Sequence, residues 1–450
     1  MGFSKDFVWG AATSSYQIEG AAYEDGKGLS VWDTFCKQPG KVFQGHSGDI
    51  ACDHYHYYQK DVQLMQEIGL KAYRFSVSWP RVLPDGIGAV NEKGLDFYDR
   101  LVEELLKAGI DPYLTLFHWD YPLALFHKGG WMNPDSPKWF MEYAQVLAKR
   151  LGDRVKHIFT FNEPQCFIGL GYVTGRHAPG YQATLFDTIP MAHHVMMAHG
   201  LAARAFKQVS ADIQVGYAPT FGFWYPAEDT PENREAARRA NETLNTGENW
   251  AWDWTWWSDP VFLGSYPEEK LAVYEPYLPQ GWEKDLETIH APVDFQGQNI
   301  YNGTAVRAAE NGDPVEVEQP MGAPHTAIGW KITPEVLEWA PQIMFERYGL
   351  PIYITENGCS CNDVISLDGN CHDPGRVDFM HRYLLALRKS AQKVPLKGYF
   401  AWSLMDNFEW AEGYKERFGM IYVDYATQKR TIKDSGYWYR DVIASNGEIL

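Results

Sequence analysis

Short apolar runs rich in β-branched and aromatic residues recur along the whole chain. Between them lie stretches whose apolar positions fall at steps of three and four. Eight runs can be drawn, at residues 7–14, 72–79, 111–118, 157–163, 213–220, 293–301, 351–356 and 396–404. Residues 95–108 carry Leu95, Tyr98, Leu101, Val102, Leu105 and Leu106 at helical spacing, with Gly109 where a C-terminal cap would sit. Residues 139–151 repeat the pattern with Phe140, Tyr143, Leu147 and Leu151. Strand–helix alternation implies a parallel sheet, and eight repeats predict an α/β chain closed into a single (β/α)8 TIM barrel, with long loops at the C-terminal face of the strands. About 70 residues separate the fifth and sixth runs and about 50 the sixth and seventh, which predicts long loops and extra helices there. No low-complexity linker breaks the chain, so residues 1–450 read as one domain. The rival architecture is an open doubly wound sheet. Against it, the run Gly169-x-Gly171-x-x-x-Gly175 has the wrong spacing for a dinucleotide fingerprint, and no strand immediately precedes it.

A parallel barrel builds its site at the C-terminal ends of the strands. The third run ends in His118-Trp119-Asp120, the fourth in Asn162-Glu163-Pro164 and the sixth in Asn299-Ile300-Tyr301. The seventh ends in Thr355-Glu356-Asn357-Gly358, and the eighth gives Trp402-Ser403-Leu404. Arg74 sits inside the otherwise apolar second run. Two of these ends are glutamates beside asparagines, and burying a carboxylate is costly unless it is paired or functional. Glycoside hydrolysis is the chemistry that needs two facing carboxylates. They stand at about 5–5.5 Å in retaining enzymes and further apart in inverting ones. A cation such as Arg74 would keep one of them ionised. Asp120, Asp294 and Asp406 also lie near run ends, so spacing alone does not pick the pair.

Composition narrows the partners. With 58 acidic against 40 basic residues the net charge is −18, which repels phosphate backbones and anionic membranes. No apolar run reaches the roughly 18 residues of a membrane span. The start Met1-Gly2-Phe3-Ser4-Lys5-Asp6-Phe7 lacks a basic stretch followed by an apolar one, the pattern of a cytoplasmic chain or of one whose leader has been removed. Six cysteines make no disulfide scaffold, and Cys359, Cys361 and Cys371 lack a C-x-x-C pair, so they read as loop thiols. His54 with His56, and His193 with His194, lack metal-site spacing, and no metal or organic cofactor is expected. Sequons at Asn241 and Asn302 matter only in a secreted chain. Eighteen tryptophans in a chain that is 15% aromatic suggest that some line a site. Trp9, Trp79 and most of the tryptophans in 249–257 read as packing, and Glu19, Asp406 and Asp424 as structural pairs.

From Phe7 to Trp438 the chain resembles glycoside hydrolase family 1, the β-glucosidase family of retaining (β/α)8 enzymes. Phe7-Val8-Trp9-Gly10-Ala11-Ala12-Thr13 followed by Tyr16-Gln17-Ile18-Glu19-Gly20 resembles its N-terminal signature. Thr160-Phe161-Asn162-Glu163-Pro164 and Ile354-Thr355-Glu356-Asn357-Gly358 match its acid/base and nucleophile motifs. The resemblance implies Glu163 as acid/base and Glu356 as nucleophile. It implies hydroxyl contacts from Gln17, His118, Asn162, Glu409 and Trp410, and an aromatic floor from Trp402. It also implies a hydrogen bond from Tyr301 to the nucleophile, support of the nucleophile by Arg74 and Asn299, and an aglycone platform at Trp330. The substrates so implied are small neutral β-glycosides: cellobiose, short oligosaccharides, and aryl or alkyl β-glucosides cleaved at the terminal non-reducing residue. Gln165 departs from the family's usual tryptophan at a position expected near the mouth of the site, and so bears on aglycone preference and product inhibition; Ile300 and Tyr121 also depart. A 6-phospho-β-glycosidase of the same fold would want cations where this chain has Glu409. A non-catalytic sugar-binding member would lack one glutamate. A phosphate-binding isomerase would want a Gly-rich phosphate loop after the seventh or eighth run; Gly398 lies inside a run and nothing else fits.

Overall fold

The computed structural model describes residues 2–450. Eight parallel strands close into a barrel: β1 (Val8–Ala12), β2 (Ala72–Ser76), β3 (Asp111–Phe117), β4 (His157–Asn162), β5 (Gln214–Ala218), β6 (Phe295–Asn299), β7 (Ile352–Asn357) and β8 (Leu396–Trp402). They follow one another around the barrel, and β8 pairs with β1 through Val8↔Gly398 to Ala12↔Trp402. Each of the eight expected runs coincides with one of these strands, β7 alone extending one residue past its run, to Asn357. The run expected to reach residue 79 stops at Ser76, because Trp79 opens the short helix Trp79–Val82. Its second residue, Pro80, has no N–H for a ladder but suits a first helical turn.

The expected helices extend over Glu92–Lys107 and Ser136–Leu151. Leu95, Tyr98, Leu101, Val102 and Leu105 of the first are buried against the barrel, whereas Leu106 faces solvent. Gly109 takes a left-handed φ of 73° just past that helix, the conformation its cap requires. The interval between β5 and β6 holds the helices Pro231–Glu242, Trp254–Phe262, Glu268–Tyr274 and Trp282–Ile289. That between β6 and β7 differs from expectation. It adds the strands Thr304–Ala308 and Pro314–Glu316, which join Trp224–Pro226 in a small separate sheet. No helix among the described residues is long and apolar enough to cross a membrane.

The barrel interior is filled by large rings from alternate positions. Tyr113, Phe159, Phe295, Tyr353 and Phe400 form one buried cluster that runs up to Trp402 and Phe418 below the loops. Phe159–Phe295 and Tyr113–Phe400 centroids lie 5.2 and 5.0 Å apart. Such layers make the barrel a packed core, so a site has room only at its mouth. The outer core takes Trp9, Trp79, Trp250, Trp254, Trp256 and Trp257, all almost fully buried. Glu19 pairs with Arg81, and Asp406 with Arg417 and Lys433, as structural pairs. Asp424 instead accepts the N–H groups of Ala426 and Thr427 in a turn.

At the C-terminal rim β7 and β8 approach so closely that a Cβ on Gly358 would lie 1.7 Å from the carbonyl oxygen of Trp402. Gly358→Ala must therefore separate two strand ends. We expect a loss of about 2–3 kcal/mol of stability, the scale of an overpacked core, read by denaturant unfolding. An unchanged midpoint would show the rim to be compliant.

Candidate active site

The strand ends deliver Arg74 from β2, Asn162 and then Glu163 from β4, Asn299 and Tyr301 from β6, and Glu356 from β7. Arg74 is fully buried and spans them. Its Nη1 donates to Glu356 Oε1 at 2.6 Å and to the Thr355 carbonyl at 3.1 Å. Its Nη2 donates to Asn162 Oδ1 at 2.7 Å and its Nε to Thr115 Oγ1 at 3.1 Å. Tyr301 donates its hydroxyl to Glu356 Oε2 at 2.7 Å. The Asn299 amide donates to Asn162 Oδ1 at 2.9 Å and to Glu163 Oε1 at 2.7 Å. Asn299, expected as support for Glu356, stands between the two carboxylates: its amide bonds Glu163, and it also favours the ionised form of Glu356. Asp120, Asp294 and Asp406 are bound elsewhere, by Ser15, by Lys207 and by Arg417 with Lys433.

The two carboxylates therefore differ in environment. Burial, and then the Glu356 charge, push Glu163 up to about 7. Burial also lifts Glu356, but Arg74 and Tyr301 oppose it. The cation lies on Glu356, so a single proton shared by the pair rests on Glu163. Glu163 itself holds a left-handed φ of 46°, with its N–H tied to the Ala218 carbonyl at 2.8 Å. Trp119 and Trp410, also on the cavity wall, have φ of 81° and 50°. Non-glycine residues in this region cost about 1–3 kcal/mol each and concentrate at working sites.

The cavity above the carboxylates has a volume of about 410 Å³. His118, Glu163, Tyr301, Trp330, Glu356, Trp402, Glu409 and Trp410 all line it, as expected. The His118 ring stacks at 5.7 Å on Trp402 and 5.9 Å on Trp410. Two donors converge on Asn162 Oδ1, so its Nδ2 must point at His118 Nε2, 3.1 Å away. His118 is then neutral, with its proton on Nδ1, an atom with no protein partner. Burial and the Arg74 charge favour the neutral ring. Glu409 is pushed up to about 8 by burial and then by the Glu356 and Glu163 charges.

Gln17 and Asn162 do not reach the cavity surface. Gln17 lies behind Glu409, donating to Asn407 Oδ1 at 3.0 Å, the Phe408 carbonyl at 2.8 Å and Glu409 Oε2 at 3.4 Å. Gln165 is also wholly buried, facing the Thr220 N–H, so the mouth position expected for it is taken by Cys166. Trp119, Cys166, Arg176, His177, Trp252 and Glu412 line the cavity without having been singled out from sequence. Trp119 directly follows His118 at a strand end, which was a usable signal. Arg176 and Glu412 pair across the mouth from aperiodic loops, where no pattern marks them. Among the described residues no cluster of three or more metal-ligating side chains occurs.

Known proteins resemble this chain along nearly its whole length. A family model described as Glycosyl hydrolase family 1 matches residues 1–448. The chain is 43% identical over 447 residues to "Beta-glucosidase A" of Thermotoga maritima, covering 99% of this chain and 98% of that one. It is also 43% identical over 455 residues to "Beta-glucosidase A" of Acetivibrio thermocellus, covering 99% of each. Among solved structures, the Thermotoga maritima β-glucosidase in complex with glucoimidazole superposes with a TM-score of 0.90 at 43% identity, covering 99% of both chains.

The asymmetry of the pair can be titrated. In Glu356→Gln the neighbouring charge is gone, so Glu163 should titrate below about 7, read by carboxyl carbon NMR of labelled protein. Because burial is the larger cause, it should stay above an ordinary glutamate. An unmoved Glu163 would mean the two carboxylates do not interact.

Proposed function

The chain belongs to glycosyl hydrolase family 1, and on that premise we propose that it works as a retaining β-glucosidase with Glu356 as nucleophile and Glu163 as acid/base. One observation carries the assignment of roles: Glu356 holds the Arg74 cation and the Tyr301 hydroxyl, while the hydrogen bond on Glu163 comes from the neutral Asn299 amide. A carboxylate held ionised can attack, and one kept protonated near neutrality can give a proton. Glu356 attacks the anomeric carbon as Glu163 protonates the departing glycosidic oxygen. The bond to the aglycone breaks and a covalent glycosyl-enzyme forms. The negative charge of Glu356 is then lost to the ester, Glu163 becomes more acidic, and as base it takes a proton from water attacking the same carbon. Two inversions return the β configuration.

His118 and the Glu409 carboxyl supply hydroxyl contacts at the cavity wall, with Trp402 and Trp410 offering ring faces to a pyranose. Gln17 and Asn162 act in this reading from behind, by orienting Glu409 and His118. Trp330, 5.1 Å from the Tyr301 ring, is the aglycone platform. Residues 1–450 form one catalytic domain in this reading, supported by site residues drawn from strands across the barrel. The substrates are small neutral β-glycosides. Cytoplasmic residence belongs to the same proposal, supported by six cysteines that are all free thiols.

Replacing Glu356 by glycine should lower hydrolysis by about 10⁴-fold or more. Azide should then rescue it slowly, yielding the α-glycosyl azide. Glu163→Gln should lower activity by about 10²–10⁴-fold on glycosides with poor leaving groups and far less on activated aryl glycosides. A Glu356→Gly enzyme with near-normal activity would overturn the nucleophile.

The pH profile of kcat/KM follows from the same pair. Glu163 must be protonated, so activity falls as pH rises through about 7. Glu356 must be ionised, so activity falls again as pH drops through its value, which burial holds above an ordinary glutamate. The optimum therefore lies on the acid side of neutrality. An optimum above pH 8 would contradict the assignment.

A further inference from the structure

Three residues beyond the Glu356 carboxylate, two thiols meet. Cys359 Sγ and Cys361 Sγ lie 3.7 Å apart, at the contact distance of unbonded sulfurs, with Cys359 buried and Cys361 half-buried. The residue between them carries the neighbouring loop. Ser360 Oγ accepts the Ile328 N–H at 2.8 Å, and the Ser360 carbonyl accepts the Ala327 N–H at 3.1 Å. These two bonds anchor the tight turn 326–330, which Thr326 closes by accepting the Trp330 and Gly329 N–H groups. Ile328 and Trp330 both line the cavity. The thiol pair therefore brackets a residue that anchors the loop bearing Trp330.

The surroundings suit a thiolate. Arg376 is fully buried beside the pair, and its Nε–H has no partner, although its other nitrogens bind Asp373, Asp363 and the Arg417 carbonyl. The hydrogen bond from Cys359, and then the Arg376 charge, hold the Cys361 thiol below the usual cysteine value. The buried Cys359 is held above it. Thus the more exposed sulfur is the more nucleophilic, and the buried one is placed to resolve it.

We propose that Cys359 and Cys361 form an oxidisable dithiol whose closure to a disulfide moves Ser360 and with it the Trp330 loop, weakening aglycone binding. The oxidant is hydrogen peroxide. The Cys361 thiolate attacks the terminal peroxide oxygen, the O–O bond breaks, and hydroxide leaves as Cys361 becomes a sulfenic acid. The Cys359 sulfur then attacks that sulfur, its proton leaves with the displaced hydroxyl as water, and the S–S bond forms. Two thiols lose two electrons, and the peroxide is reduced to two waters. The sulfurs must close from 3.7 Å to about 2.05 Å, and in this proposal the closure displaces Ser360, the residue between them. A dithiol reductant reverses the step.

The kinetic consequence rests on Trp330 being the aglycone platform, whereas the bond itself does not. The test treats the full-length enzyme with hydrogen peroxide and reads the 359–361 peptide by non-reducing mass spectrometry, alongside KM for aryl glucosides. We expect the mass of two hydrogens to be lost from that peptide and KM to rise by about fivefold, a coupling of ordinary size. Dithiothreitol should restore both, and Cys361→Ser should be insensitive. Cys361→Ser remaining sensitive would assign the effect to another thiol, such as Cys166, and overturn the proposal. A peptide that keeps its two hydrogens overturns it as well. A disulfide that forms with KM unmoved overturns the coupling. Trp330→Ala, assayed in parallel, should raise KM by itself, and if it does not, the fault lies in the aglycone reading, which takes the coupling with it.

Discussion

A single guanidinium holds the working end of this barrel together. Arg74 is buried at the top of the packed interior, 5.1 Å over the Phe159 ring, where an unpaired cation would cost several kcal/mol. It is tolerable there only because four acceptors from β3, β4 and β7 converge on it. Arginine can do this where lysine cannot, since its planar fork sends donors in several fixed directions at once. The converse matters for function. The carboxylate of Glu356 is itself buried, and removing either partner would strand the other, at a cost of about 3–5 kcal/mol. The requirement that neutralises Arg74 is the same one that fixes the Glu356 carboxylate in place. Stability and reactivity are thus coupled at one contact.

From Arg74 the order spreads through hydrogen bonds whose directions are forced. The two donors on Asn162 Oδ1 set its amide, and the amide sets the His118 tautomer. Asn299 is held from the other side by the Thr355 hydroxyl at 2.6 Å, and so delivers its amide to Glu163. None of these residues needs a mobile segment to acquire its orientation. Each is fixed by a strand end or the residue after it, which is why the catalytic half of the cavity is rigidly defined while its mouth is built from loops.

That division also explains what could be read from the sequence. The strands, the two glutamates and Arg74 were legible because apolar periodicity marks a barrel strand and a polar residue at its end stands out against it. The choice of Glu163 and Glu356 over Asp120, Asp294 and Asp406 was not a matter of periodicity. It came from motif resemblance, and in the structure the aspartates have other partners. Gln17 and Asn162 were found as residues but not as second-row positions, since one-dimensional spacing carries no depth. Trp252 was hidden among tryptophans that do pack, and Arg176 and Glu412 lie on loops whose composition says nothing about which way a side chain turns. Gln165 was misread for the same reason. It adjoins Cys166 on one short helix, and a rotation of one residue decides which of them faces the cavity.

The charge of the cavity bears on what can enter it. Glu163, Glu356 and Glu409 share one wall, and Arg74 compensates only Glu356. Three ionised carboxylates around one buried cation would repel one another, so protons make up the difference, and the groups pushed up to about 7 and about 8 are the two that lack the cation. The other basic group on the wall, Arg176, is engaged with Glu412 at the mouth. An anionic ligand would therefore meet no free cation and would force protonation of the remaining carboxylates. A neutral polyol meets donors and acceptors that change little in charge as it binds. The proton that electrostatics already requires on Glu163 is also the one a leaving oxygen would take in the proposed mechanism, so in that reading the acid stands in its reactive state before any substrate arrives.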